Sequence, residues 1–313
     1  MLIHAFKTKV FYSMMQKISE IKVFTISLCL IFFITYFLDP SIYSNFKNQI
    51  IFFSIPLLWP GLAHGSLDLL TAQRKKIVTN LKKKIFFLLF YILIALIFFY
   101  LWTKFCNLFF LIFLIISFIH FGIDDKLSSG SQFNNISEIL IRGGIIILVP
   151  IEYHFPETEI IFKTLLASED FLNNLKFFTS KLYILLFFLF IFWSGYNLFH
   201  IRFKFFKNNI LFEIITLYFC FYYFEPLISF FTYFCFFHSI RHINHEMKKL
   251  DLKFITFFFK TIPFTLLTII FFILIYAFFQ NINPTELIFS YILVGLASLT
   301  IPHIILVNFL KDH

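Results

Sequence analysis

Apolar runs of about 18 residues or more recur along this chain, each long enough to cross roughly 30 Å of hydrocarbon as a helix. No other feature constrains the fold as strongly. The chain is read as an all-α, polytopic helical membrane protein, a single integral-membrane domain over residues 1–313. Composition agrees, with 60% of residues apolar and 14% charged, against roughly 45–50% and about 25% in soluble domains. An ordinary water-soluble enzyme is thereby excluded, as are disordered and collagen-like chains. The 54 phenylalanines accompany abundant Ile, Lys and Asn, the usage of an AT-rich genome, and carry no ligand argument of their own. Cys29, Cys106, Cys220 and Cys235 lie inside apolar runs without a C-x-x-C pair, which points away from a disulfide framework and from a zinc knuckle.

Ten spans are predicted, at about 21–38, 49–70, 84–102, 105–123, 137–155, 180–199, 209–224, 226–242, 254–279 and 287–310. Asp39-Pro40, Arg74-Lys75-Lys76, Glu225-Pro226 and Asn283-Pro284 punctuate them. No A-x-A-like site follows the first run, so it is read as a retained span. With the N-terminus inside, nineteen Lys and Arg fall on inner segments and five on outer ones. That bias predicts cytoplasmic N- and C-termini. The net charge of +9 has the same origin and does not require a nucleic-acid partner.

The ten histidines divide by depth. His4 and His313 are terminal, and His154 and His200 end their spans, where an imidazole is ordinarily solvated or caps a neighbour. His64, His120, His238, His242, His245 and His303 all belong to spans that run from outside to inside. His64, His120, His238 and His242 lie toward the cytoplasmic ends of those spans, with His303 somewhat deeper and His245 nearer water. Ionisable groups within a bilayer are costly and face the bundle interior or a cavity. Several at one depth on separate helices predict a common centre.

Spacing sharpens that expectation. In FFHSIRHINHEM, His238 and His242 are four apart and share a helix face. His64 is followed four residues later by Asp68, and His120 four residues later by Asp124. A metal-ligating imidazole donates its other N–H to a carboxylate or carbonyl, and two H-x-x-x-D pairs are candidates for that arrangement. Imidazole suits zinc, copper, iron and nickel. No thiolate lies near these positions, and two histidines one turn apart cannot flank a haem. An all-histidine site in an apolar, aromatic setting fits non-haem iron(II), with positions open to oxygen.

The segments P-G-L-A-H-G-S-L-D (60–68), H-F-G-I-D (120–124), F-H-S-I-R-H (237–242) and I-P-H (301–303) together resemble the Brp/Blh family of bacterial β-carotene 15,15′-dioxygenases, in order and with similar intervals. The resemblance runs from about residue 50 to the C-terminus. It implies cleavage of the central double bond of β-carotene by O2 to two all-trans-retinal, in the bacterial inner membrane, upstream of a retinal-binding rhodopsin. Fe(2+) would be held by His64, His120, His238 and His242, through which catalysis would run. By the spacing argument, Asp68 and Asp124 would be their hydrogen-bond partners. His303 would line the pocket or complete the site, brought there by a kink at Pro302, and Arg241 reads equally as an orientation charge. Trp59 and Tyr233 are candidates for lining a carotenoid tunnel.

Two other classes stay open on sequence. A membrane di-iron desaturase or hydroxylase needs roughly eight histidines in boxes such as H-x-x-H-H, and no H-H pair occurs here. A metal or small-molecule transporter with an intramembrane histidine site would need a polar path across the membrane, whereas the outer halves of spans two, four and eight are mostly apolar.

Overall fold

A computed structural model describes residues 20–128, 131–200, 209–279 and 285–310, leaving out a number of side chains, those of His64 and His200 among them. His4 and His313 lie outside the described residues. Every regular element among the described residues is helical. In chain order these are α1 (Glu20–Phe33), α2 (Ser41–Ser44), α3 (Phe46–Pro56), α4 (Leu62–Gly65), α5 (Asp68–Arg74), α6 (Leu81–Lys104), α7 (Cys106–Asp125) and α8 (Gln132–Tyr153). They continue as α9 (Phe155–Thr164), α10 (Glu169–His200), α11 (Ile210–Tyr223), α12 (Pro226–Tyr233), α13 (Ser239–Lys249), α14 (Phe254–Phe279) and α15 (Thr285–Ile304). Four π-helical turns interrupt or extend them, at Ile34–Leu38, Leu57–Gly61, Phe234–His238 and Ile305–Phe309.

Six helices among the described residues are long and apolar enough to cross a membrane: Glu20–Leu38, Leu81–Lys104, Cys106–Asp125, Glu169–Phe199, Phe254–Phe271 and Leu287–Phe309. The other four predicted spans are helical but of a different kind. Segment 49–70 breaks into α3, a π turn, α4 and α5. Pro60 is the reason: the residue before a proline is driven out of the α region, and Trp59 sits at φ −153°, ψ 121°. Segment 137–155 lies in α8, which carries Glu138, Arg142 and Glu152. Segment 209–224 is α11, only 14 residues long. Segment 226–242 is split between α12, a π turn and α13. At the preceding joint, Pro226 occupies the first helical turn, where its missing N–H costs nothing. The Glu225 side chain accepts from Gln49 Nε2 at 2.6 Å, and burial holds its carboxyl above the ordinary value.

Helix starts follow local chemistry. Asn80 caps α6 by accepting from the Lys83 N–H at 2.9 Å, and Ser131 caps α8 through the Asn134 N–H at 3.3 Å. Packing centres on α8, which is flanked by α7, α10 and α11, while α15 lies along α6. Glycines permit the closest approach. A Cβ on Gly122 would run into the Ile139 carbonyl oxygen, and one on Gly143 into the Phe118 carbonyl oxygen. Small residues at such crossings let two backbones meet and gain dispersion contacts. Gly143→Ala is therefore expected to cost about 1–3 kcal/mol by overpacking, read as a lowered thermal unfolding midpoint in detergent. An unchanged midpoint would show that α7 and α8 can separate freely. Beyond the charged residues at their ends (Lys82 and Lys83 in α6; Glu169, Asp170, Lys176 and Lys181 in α10), the outward faces of both helices are mostly apolar, and only 11% of the most apolar window of each is buried.

Candidate metal centre

Five segments converge on one buried cluster. α7 ends in His120, Asp124 and Asp125. The π turn after α12 ends in His238, and α13 follows directly with Arg241 and His242. α15 brings His303, and the π turn behind it brings Asn308. α5 begins with Asp68, and α6 contributes Tyr91. π-helical turns recur at functional sites because they re-aim side chains within a helix. Here two of them present His238 and Asn308. Pro302 lies within α15, which runs on through it; the change of helix type comes later, at Ile305.

His120, His238, His242 and His303 are each 4% exposed or less. Their rings form a continuous series, with centroids 5.3 Å apart for His238–His120, 5.6 Å for His120–His303 and 5.4 Å for His303–His242. Each Nδ1 has an oxygen partner. His238 meets Asp125 Oδ1 at 3.3 Å, His242 meets Asp124 Oδ2 at 3.0 Å, His303 meets Asp68 Oδ1 at 2.8 Å, and His120 meets Asn308 Oδ1 at 2.6 Å. An acceptor at Nδ1 puts the proton there and leaves Nε2 as the metal-binding nitrogen. His120, Asp124 and His238 also offer ligand atoms within 4.8 Å of one another.

The carboxylates are those expected, and the partners seen for them lie on other helices. The H-x-x-x-D spacing pairs Asp124 with His120 and Asp68 with His64 along one helix. Asp124 bonds His242 and Asp68 bonds His303, both across helices. The His64 side chain is outside the described residues, while its backbone lies in α4, four residues before the start of α5. His245, on α13 beyond His242, is exposed. His154 is bonded to the Tyr222 carbonyl at 2.8 Å, away from the cluster.

Outer contacts fix the carboxylates in turn. Tyr91 donates to Asp68 Oδ2 at 2.7 Å, and the Tyr233 hydroxyl donates to Asp125 Oδ2. Tyr233 is thus a buried strut of the cluster. Trp59 is 37% exposed and packs edge-on against Phe254 and Phe258. Arg241 donates to the Asp125 carbonyl and to Glu213, both at 2.7 Å, and its guanidinium lies 4.2 Å over Phe237. Phe121 and Phe234 cover the His238 ring at 5.0 and 5.9 Å between centroids.

Sequence reading missed Asp125, Asn308, Tyr91 and Lys75. Asp125 follows Asp124 directly, so its signal was visible as a carboxylate pair at a helix end. Asn308 lies five residues after His303, a spacing that matches no α-helical face and is useful only because the helix turns π. Lys75 is buried, and its ammonium donates to the carbonyls of Leu306, Val307 and Leu310, closing the turn that carries Asn308. Lys75→Met is expected to raise amide exchange across 305–310 by about 10-fold or more, since hydrogen bonds to charged groups contribute roughly 1.5–3 kcal/mol. Unaltered exchange there would show that the lysine does not hold the turn.

A helical fold with a buried, carboxylate-supported histidine cluster defines a candidate metalloenzyme of the membrane-protein class. Comparison with known proteins makes the assignment specific. Residues 55–311 match the family model for beta-carotene 15,15′-dioxygenase. The beta-carotene 15,15′-dioxygenase of uncultured marine bacterium 66A03 is 31% identical over 262 residues, covering 80% of this chain and 90% of that protein. No solved structure matches. The chain belongs to the β-carotene 15,15′-dioxygenase family and is a carotenoid-cleaving dioxygenase.

Proposed function

We propose that this chain is a multi-pass enzyme of the bacterial inner membrane that uses iron(II) and O2 to cleave the central 15,15′ double bond of β-carotene into two all-trans-retinal. The observation that carries the reading is the buried grouping of His120, His238 and His242, each with an oxygen partner at Nδ1, inside the segment that matches the family, to which the family resemblance adds His64. A donor set of neutral imidazoles with no thiolate is suited to non-haem iron. His64, His120, His238 and His242 would hold the metal, and Asp124 would orient His242. Iron(II), when bound, supplies activation of dioxygen beside the double bond.

The protein's own contribution is placement and exclusion of water. Asp68, Asp124, Asp125 and Asn308 hold the protons at Nδ1 and so fix each ring's orientation. Phe121 and Phe234 keep one flank of His238 dry. A polyene dissolves in lipid, and the apolar outer faces of α6 and α10 support an enzyme that meets its substrate there. Ten crossings with both termini cytoplasmic remain the proposed topology, supported by the Lys and Arg distribution. In it, the three broken or short segments and charged α8 complete the bundle around the centre. Released retinal would suit a retinal-binding rhodopsin.

Bacteria producing β-carotene and expressing this chain are expected to lose their orange colour as retinal accumulates. Unbleached cells with well-inserted, iron-loaded protein would overturn the substrate. Asp68→Asn is expected to lower iron retention or turnover by roughly 10–100-fold, as for other partners of metal-ligating histidines. Wild-type values in that variant would remove Asp68 from the site.

A further inference from the structure

The four-histidine set implied by the family resemblance omits His303, yet the structure places His303 within the ring series. Its centroid lies 5.6 Å from His120 and 5.4 Å from His242, spacings equal to the 5.3 Å between His120 and His238. A histidine that merely lined a substrate pocket has no need to touch two ligand rings at once. Its support is also at least as complete as theirs. His303 Nδ1 meets Asp68 at 2.8 Å, closer than the 3.0 Å of His242–Asp124 and the 3.3 Å of His238–Asp125. Asp68 is itself held by Tyr91 at 2.7 Å. The turn behind His303 is closed by Lys75 and returns Asn308 to His120. The C-terminal helix thus supplies one ring and orients a second.

We propose that His303 is itself a metal ligand, oriented by Asp68 and Tyr91 as His242 is by Asp124. This rests on the metal centre proposed above. It reassigns Asp68 from the His64 motif to the C-terminal helix. It also leaves the bound metal one fewer position for oxygen than the four-histidine set alone would give.

The test uses the full chain in lipid nanodiscs, stripped of metal and titrated with Co(II) alone, so that no turnover is needed. The unmodified chain is expected to bind Co(II) with visible ligand-field bands. His303→Ala is expected to bind at least about 10-fold more weakly, the minimum loss seen when even an outer partner of a ligand is removed. Its bands should shift, and added free imidazole should return them toward the unmodified spectrum, a rescue that a purely structural role would not give. His303→Gln, which keeps a polar group for Asp68, carries the same expectation should the alanine variant fail to insert. His154→Ala is expected to change nothing. Unmodified affinity and bands in His303→Ala, alongside weakened binding in His242→Ala, would overturn the assignment and leave His303 a pocket residue. No Co(II) binding by the unmodified chain would overturn the metal centre as well.

Discussion

His242→Ala is expected to abolish iron retention and carotenoid cleavage together while leaving membrane insertion intact. His242 is 3% exposed, in ring contact with His303 and bonded to Asp124 at 3.0 Å. Losing a mere partner of a ligating histidine costs roughly 10–100-fold, so loss of the ligand is expected to take activity to background. Insertion should survive because α13 is the polar end of its segment and no apolar span is shortened. Iron per inserted chain and retinal formed are the two quantities to measure. Full activity with full iron would remove His242, and with it the histidine centre as drawn.

The second large effect is expected at Glu213, which contacts no histidine. Its carboxylate accepts from Arg142 at 2.9 Å through one oxygen and from Arg241 at 2.7 Å through the other. Arg142 is 0% exposed and also donates to Glu138 at 2.7 Å. Glu138 in turn accepts the backbone N–H groups of Leu127 and Ser128, which follow α7. One ionic network therefore joins α8, α11, α13 and the segment leaving α7. Removing one partner of a buried pair leaves an uncompensated charge and costs about 3–5 kcal/mol. Glu213→Ala is expected to lower the unfolding midpoint sharply in detergent and to reduce the yield of inserted protein. Because Arg241 also donates to the Asp125 carbonyl, the surviving protein should retain less iron. A midpoint within experimental error of the unmodified chain would show that the network is dispensable.

Much of this was legible in the residues, and particular positions show why the rest was not. Continuous apolar runs declared the membrane helices 20–38, 81–104, 106–125 and 254–271, since length and composition alone decide them. Segments 49–70 and 226–242 read as single spans because hydropathy does not register a π turn or the conformational demand of Pro60. Histidine depth grouped His64, His120, His238, His242, His245 and His303, because an ionisable group in lipid has few places to go. The rings of His120, His238, His242 and His303 lie in one series, while His245 is exposed and the His64 side chain is outside the described residues. The partners seen for Asp124 and Asp68 are His242 and His303, while the His64 side chain lies outside the described residues. The i,i+4 rule sees only one helix, while both carboxylates reach across to another. Glu138, Arg142 and Glu213 stood in plain view as charges within apolar segments, and only their mutual pairing needed the fold.

The most direct test of the account is product analysis on the purified chain in lipid vesicles loaded with β-carotene and supplied with O2, with and without iron(II). Central cleavage predicts two all-trans-retinal for each β-carotene consumed, only in the iron-loaded sample. Intact β-carotene over inserted, iron-loaded protein, or apocarotenals of unequal length, would contradict it.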